Sequence, residues 1–337
     1  MTWKGSLTDI PEIRVGQVED RDALTGVTVI ILPKGAVAGV DQRGGAPGTR
    51  ETDLLRPLHL VERIHGLVLA GGSAFGLDAA SGVMKWLEEN DIGFPTGSAK
   101  VPIVPAAVIY DLNIGSASVR PDLMMGYQAA SQASNKNINQ GCYGAGCGAN
   151  VGKIFGNAGA MKSGMGTASI QLANGVIVAA LMVVNAFGDI YDPDERQIIA
   201  GARTIQKGPV TIGSSGDFAN TEKVMSTMLG TTILKFAGSQ NTVIGVVATN
   251  ARLNKEEVNK VAQMAQDGLA RVIRPAHTMF DGDTLFSLST GNRIADVNTI
   301  GAFAANMVEK AIINAVKQAD GMGGLPAMKD LAAMKSA

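Results

Sequence analysis

Gly238-Ser239-Gln240-Asn241-Thr242-Val243-Ile244-Gly245-Val246-Val247-Ala248-Thr249-Asn250 is a polar, glycine-led loop that runs straight into an apolar, β-branched segment. That change of pattern predicts a loop entering a buried strand. Thr242 stands at the junction. In a continuous chain, a hydroxyl at the first residue of a core strand packs or hydrogen-bonds and does nothing else. Scission between Asn241 and Thr242 changes its chemistry, because Thr242 then carries a free α-amine beside its own hydroxyl. An α-amine titrates near about pH 7.7–8.0, close to the best range for a general base at neutral pH.

Downstream, Asn254 to Arg271 has the spacing of an amphipathic helix, with Asn254 as N-cap and Glu256-Glu257 in its first turn. Pro275 to Leu288 reads as a loop and then a strand. Within it Asp281 and Asp283 are two residues apart and share a face on extended backbone. Such a pair can cap a turn, hold calcium or hold an amine, and the EF-hand pattern is not met. Ile294 to Ala319 reads as a long final helix, followed by a tail from Gly321.

Upstream, Tyr191 to Ser239 is polar and loop-rich, with a short helix expected at Glu222 to Leu229. An exposed segment directly before Thr242 suits a processing site. Gly164 to Gln171 and Val176 to Asn185 read as paired strands around an Asn174-Gly175 turn. Asn185 ends the second strand, where it can cap a turn or aim amide donors at a substrate oxygen. Lys153 follows a glycine-rich turn, the setting of an ordinary solvated lysine. Tyr110 lies on the strand Ala106 to Leu112, where a tyrosine is usually core with its hydroxyl satisfied. Gly26 to Pro33 reads as a strand stopped by proline, and Val37 to Ala46 as a second short strand and a glycine turn, with Asp41 and Arg43 able to pair. Gly66 to Ala70 is a buried strand leading through Gly71-Gly72-Ser73-Ala74-Phe75-Gly76 into a helix ending near Trp86. That turn misses both the dinucleotide fingerprint and the nucleophile elbow by one residue. It reads as a tight turn that packs a helix on a sheet, with ligand binding at the turn as the rival.

The chain has 337 residues, 46% of them hydrophobic, and a net charge of -1, so a sizeable core forms and no basic excess points to nucleic acid or a membrane surface. Cys142 and Cys147 lie in one glycine-rich turn, and His59, His65 and His277 make no ligand motif, so reduced thiols are expected and no metal site. Met1 to Ser6 lacks a signal-peptide apolar region and no apolar run reaches membrane-span length, which predicts a cytoplasmic protein. Hairpin strands beside long helices favour layered α+β over a doubly wound parallel sheet.

Val40-Asp41-Gln42-Arg43-Gly44-Gly45-Ala46, Ala70-Gly71-Gly72, Ala107-Val108-Ile109-Tyr110-Asp111, Asn241-Thr242 and His277-Thr278-Met279-Phe280-Asp281-Gly282-Asp283-Thr284-Leu285-Phe286 together resemble the self-cleaving amide hydrolases of the DmpA type. These are the L-aminopeptidase/D-esterases, the β-peptidyl aminopeptidases and the nylon-oligomer (6-aminohexanoate oligomer) hydrolases. The resemblance implies a single catalytic domain with a four-layer α-β-β-α sandwich, cut into chains 1–241 and 242–337. Thr242 matches the nucleophile, Asp281 and Asp283 the paired acidic positions, Asn185 an oxyanion-stabilising asparagine, and Tyr110 and Lys153 the remaining pocket positions. The aminopeptidase branch carries Ser with a Ser/Glu pair, and the nylon-oligomer branch Thr with two aspartates and the lysine, so this chain looks more like the latter. The resemblance further implies no cofactor, a small linear amide or peptide substrate, and a homotetramer of αβ units. The alternatives are a peptide aminopeptidase and, further off, an acyltransferase like the threonine-nucleophile ornithine acetyltransferases.

Overall fold

In the computed structural model the described residues are 5–136, 138–207, 210–212, 217–234 and 241–331. The loop half of the opening stretch, residues 238–240, lies outside them, as do residues 1–4 of the N-terminus and 332–337 of the tail.

One nine-stranded sheet carries the fold. Its strands are β1 (Arg14–Asp20), β2 (Thr25–Gln42), β3 (Thr49–Arg50), β4 (Arg63–Ala70), β5 (Ala106–Val108), β6 (Met165–Gln171), β7 (Ile177–Asn185), β8 (Thr242–Ala251) and β9 (Thr284–Arg293). They lie in the order β6-β7-β8-β9-β2-β4-β5-β3, with β1 paired to β2. The pairs β8/β9 and β4/β5 are parallel and the rest antiparallel. Among the described residues six α-helices accompany the sheet: α1 (Ala79–Glu89), α2 (Leu123–Ser131), α3 (Thr221–Met225), α4 (Met228–Leu234), α5 (Lys255–Val272) and α6 (Val297–Gln318).

The strand β2 turns this sheet into a sandwich. Its first half packs Val27, Val29 and Ile31 against the layer of α1 and α2. Its second half packs against α5, where the Gly39 backbone comes so close that an added Cβ would lie 2.6 Å from the Asn259 nitrogen. The alternate residues Ile30, Leu32, Ala36 and Ala38 face an inner core shared with Leu181, Val183, Ile244, Val246, Phe286 and Leu288. The layers therefore run α5/α6, sheet half, inner core, sheet half, α1/α2, the four-layer arrangement expected. Period-two alternation in each strand puts one side on the helices and the other on the inner core.

Pro33 does not stop a strand. The ladder to β4 breaks between Ile31 and Ala36, and Pro33 sits in that gap, where no N–H is needed. The two strands expected on either side of it are one strand of 18 residues. The Asp41–Arg43 pair forms, at 2.8 Å. The β6/β7 hairpin around Asn174-Gly175 forms as expected, with Gly175 at φ +76° supplying the left-handed turn position. Asn254 caps α5 in a full capping box with Glu257. The expected helix at Glu222 to Leu229 is two short ones, α3 and α4, and α2 was not expected at all. Cys142 and Cys147 are buried free thiols. No helix among the described residues is long and apolar enough to cross a membrane.

Candidate active site

The site lies where β7, β8 and the loop before β9 meet. β8 is buried along its whole length, between β7 and β9, as suits its β-branched run. Thr242 is its first residue and pairs in register with Asn185, the last of β7. By strand parity both side chains fall on the inner face with Ile244, Val183 and Leu181. The exposed segment expected before this point ends at Ser239, and residues 235–240 lie outside those described. Asn241 and Thr242 themselves are both buried, 4% and 5% exposed. A bond held this deep is shielded from an outside protease.

The residues around that bond are arranged on its carbonyl. The Thr242 hydroxyl donates to the Asn241 carbonyl oxygen. The same oxygen accepts the Gly282 N–H at 2.9 Å. Gly282 can approach because it has no side chain: a Cβ there would stand 2.9 Å from Thr242 Oγ1 and 2.6 Å from the Ala46 carbonyl. The loop 278–283 is in turn clasped by the turn before β3, through Ala46 N–H to the Asp281 carbonyl at 2.8 Å and Arg43 N–H to the Asp283 carbonyl at 3.0 Å.

The two aspartates are not equivalent. Asp283 Oδ1 accepts the Val243 N–H at 2.8 Å, and its Oδ2 accepts the His277 backbone N–H at 3.1 Å and pairs with His277 Nδ1 at 2.8 Å. It grips the residue after Thr242. Asp281 Oδ2 accepts the Thr278 N–H at 2.9 Å and the Thr278 hydroxyl at 2.5 Å. Burial, reinforced by the neighbouring Asp283 charge, pushes the Asp281 carboxyl up to about 6 against the pull of the Thr278 and Phe187 hydrogen bonds.

Lys153 is not the solvated lysine its local setting suggests. Its backbone N–H donates to the Phe187 carbonyl at 3.0 Å. Its ammonium is buried and donates to Asn185 Oδ1 at 2.6 Å and to the Asn185 carbonyl at 3.1 Å. Burial pushes it down to about 7, against the raising effect of the Asp281 and Asp111 carboxylates. Asn185 Oδ1 also accepts the Asn150 N–H at 3.2 Å, and Asn185 Nδ2 donates to the Tyr110 carbonyl at 3.0 Å. Tyr110 thus joins the cluster through its backbone. Its side chain is half-buried.

All six residues singled out in the sequence converge on this corner. Three contributors were not singled out: the Gly282 N–H, Thr278 and His277. All lie within the stretch His277–Phe286, but nothing in their local spacing marks a role, since each acts through a contact made by the fold. The Gly71-Gly72-Ser73 turn is a packing device. Its N–H groups go to the Gly26 carbonyl, the Asp111 carboxylate and the Ile109 carbonyl. None of these three backbone N–H groups is left to cradle a ligand phosphate, and Asp111, also held by the Thr25 hydroxyl at 2.8 Å, ties the turn to β5. Among the described residues no group of three or more His, Cys, Asp or Glu side chains is placed to hold a metal ion.

The same architecture is found in the L-aminopeptidase D-Ala-esterase/amidase of Ochrobactrum anthropi, described as a variant of the Ntn hydrolase fold. The TM-score is 0.71 at 18% identity, covering 98% of this chain and 93% of that one. This chain thus shares that fold. It belongs to peptidase family S58, whose model matches residues 5–329, a family of amide-bond hydrolases. It is 41% identical to an uncharacterized aminopeptidase of Mycobacterium tuberculosis (strain ATCC 25618 / H37Rv), over 97% of each chain. It is 31% identical to the 6-aminohexanoate-oligomer endohydrolase of Kocuria sp. (strain KY2), over 92% of this chain and 85% of that one.

Proposed function

We propose that this chain is an amide hydrolase that cuts itself between Asn241 and Thr242 and then uses Thr242 as an N-terminal nucleophile. The observation that carries the reading is the Thr242 hydroxyl lying against a buried carbonyl whose oxygen already accepts the Gly282 N–H. In the first step Thr242 Oγ attacks the Asn241 carbonyl carbon and the acyl group moves from N to O. Gly282 N–H stabilises the oxyanion, an effect worth about 3–4 kcal/mol per donor. Water then hydrolyses the ester, leaving a carboxylate on Asn241 and an amine on Thr242. In turnover the Thr242 hydroxyl attacks a substrate amide, the α-amine takes its proton, the amine product leaves, and water releases the acyl group.

The two aspartates divide the work. Asp283 holds the start of β8, and Asp281, with its raised pKa, takes and returns protons beside Lys153. Intact mass and N-terminal sequencing of purified protein test the reading. Two chains are expected, the smaller beginning at Thr242. A full-length chain that still hydrolyses amides would sink it.

Before scission there is no α-amine, so the base must come from the surroundings. Asp281 ionises above about 6 and Lys153 becomes neutral above about 7. Self-cleavage of freshly made precursor is therefore expected to speed up between pH 5 and 8. Time-resolved mass spectrometry reads this, and a rate that is flat or falls with pH excludes both groups as the base. Asn185→Ala is expected to lower turnover about 10²-fold or more. Its thermal stability should fall less than proportionately, since Lys153 and the Asn150 N–H lose only one acceptor. An unchanged rate would remove Asn185 from the oxyanion machinery.

For substrate we propose linear amides of the 6-aminohexanoate-oligomer kind, on the match of Thr242, Asp281, Asp283 and Lys153 to that branch. A second reading, an aminopeptidase for small peptides, is favoured by the 41% identity to a relative named as one. A panel of 6-aminohexanoate oligomers and peptides with free or acetylated N-termini separates them, because an aminopeptidase loses its substrate on acetylation. Homotetramers of αβ units in the cytoplasm complete the proposal, with light scattering on the processed protein as the check on assembly.

A further inference from the structure

His277 is used by neither step above, yet it occupies an unusual place. It is a non-glycine residue in the left-handed region, φ +57°, a conformation side chains rarely adopt without compensation. The compensation is visible. In that conformation both its backbone N–H, at 3.1 Å, and its ring Nδ1, at 2.8 Å, meet the same oxygen of Asp283. The other oxygen of Asp283 holds the Val243 N–H at 2.8 Å. Asp283 itself is 1% exposed. The ring Nε2 is buried and has no hydrogen-bond partner among the described residues. An Nδ1–H donor to the carboxylate and a lone pair on Nε2 is the tautomer that leaves no buried N–H unpaired.

We infer that His277 is a positioning residue, which locks the Asp283 carboxylate so that Asp283 can hold the N-terminal residue of β8 in place after scission. The inference rests on the proposed nucleophile and deepens it. In the uncut chain Thr242 is anchored on both sides, by the Asn241 peptide bond upstream and by the β8 ladder downstream. Scission removes the upstream anchor. What then fixes Thr242 along the chain is the pairing of β8 and the grip of Asp283 on the neighbouring N–H. A buried carboxylate held by the imidazole and two backbone donors has one orientation. Without the imidazole it keeps the two backbone donors alone, and the nucleophile's position loosens with it. A misplacement of about 1 Å costs on the order of 10²-fold in rate.

Three substitutions test this. His277→Gly removes the ring while relieving the left-handed backbone. His277→Asn puts an amide donor near the position of Nδ1 and tolerates that backbone. His277→Gln puts its donor near Nε2 instead. Each variant is followed for self-cleavage by mass spectrometry, and for kcat and KM on an amino-acid p-nitroanilide that the wild-type protein hydrolyses. For His277→Gly we expect self-cleavage within about tenfold of wild type, because the precursor keeps its upstream anchor, and a kcat about 10²-fold lower at similar KM. His277→Asn should recover kcat to within about fivefold of wild type, and His277→Gln should not. A His277→Gly kcat within about threefold of wild type overturns the inference, as does rescue by Gln equal to rescue by Asn. Should His277→Gly fail to fold, the Asn and Gln pair carries the test. An active His277→Gly beside an inert Thr242→Ala sinks this inference alone, whereas a cleaved and active Thr242→Ala sinks the nucleophile itself.

Discussion

Thr242→Ala is expected to yield a folded, full-length and inert protein. The hydroxyl reaches the Asn241 carbonyl, so its loss removes the proposed nucleophile of the self-cleavage. Without scission there is no α-amine, and the second chemistry fails for want of both its parts. Loss of a nucleophile that acts as a unit with its base costs on the order of 10⁴-fold or more in rate. The fold should survive. Thr242 sits at the end of β8, whose anchoring comes from Val243, Ile244, Val246 and Val247, each fully buried or nearly so. Burying such a side chain contributes about 1.5–3 kcal/mol, more than one terminal hydroxyl can cost. Intact mass reads the first expectation, amide turnover the second and thermal unfolding the third. A Thr242→Ala chain that is still cut, or still active, removes Thr242 from the chemistry.

Lys153→Met should also separate activity from stability. Methionine has about the same length and no charge. The substitution takes the donor away from Asn185 Oδ1, which keeps the Asn150 N–H as its partner. It also removes a donor from the cluster around Asn185, so turnover is expected to fall about 10²–10³-fold. Stability should hold or rise, since replacing a buried ion by an apolar side chain of similar volume is often neutral or favourable. The pH dependence gives a second reading. Burial lowers the Lys153 ammonium to about 7 in the folded chain from its ordinary 10.5. Between those values the unfolded chain binds a proton that the folded chain does not. Wild-type stability from this group therefore rises with pH from about 7 to about 10.5, and Lys153→Met should lose that slope. Melting curves from pH 7 to 10 check it. An unchanged slope would mean that Lys153 is protonated in its buried place.

The two substitutions differ in how far a reader of the sequence could have seen them. Thr242 is marked by a local change, a polar loop turning into a β-branched run, and its strand forms as that run implies. Lys153 is marked by nothing local. A lysine after Gly152 looks like any surface lysine, and it becomes half-neutral near pH 7 only because the fold buries it, beside an Asn185 that β7 brings across 32 residues of chain to meet it. The same contrast holds for the scaffold. Asn254 as a cap and Asn174-Gly175 as a turn are interactions within a few residues, and both form. Pro33 misleads because whether proline ends a strand depends on whether its neighbour strand asks it for an N–H, and here β4 does not. Asn241, at the end of a polar loop, carries no local sign of burial, yet it is drawn in by its pairing with Asp281 and by Gly282.

The sequence by itself determined the strands β4 to β9, the capped helix α5, the hairpin and the residue types gathered for chemistry, because these depend on periodicity and on contacts a few residues apart. Only the tertiary structure decided which atoms face each other. It set Asn185 opposite Thr242, aimed the Gly282 N–H at the Asn241 carbonyl, and gave Asp281 and Asp283 unlike surroundings. The physical reason is that hydrogen bonds and charge effects fall off within a few ångströms. Their strength is therefore set by how distant segments are packed together, and short stretches of sequence carry no record of that.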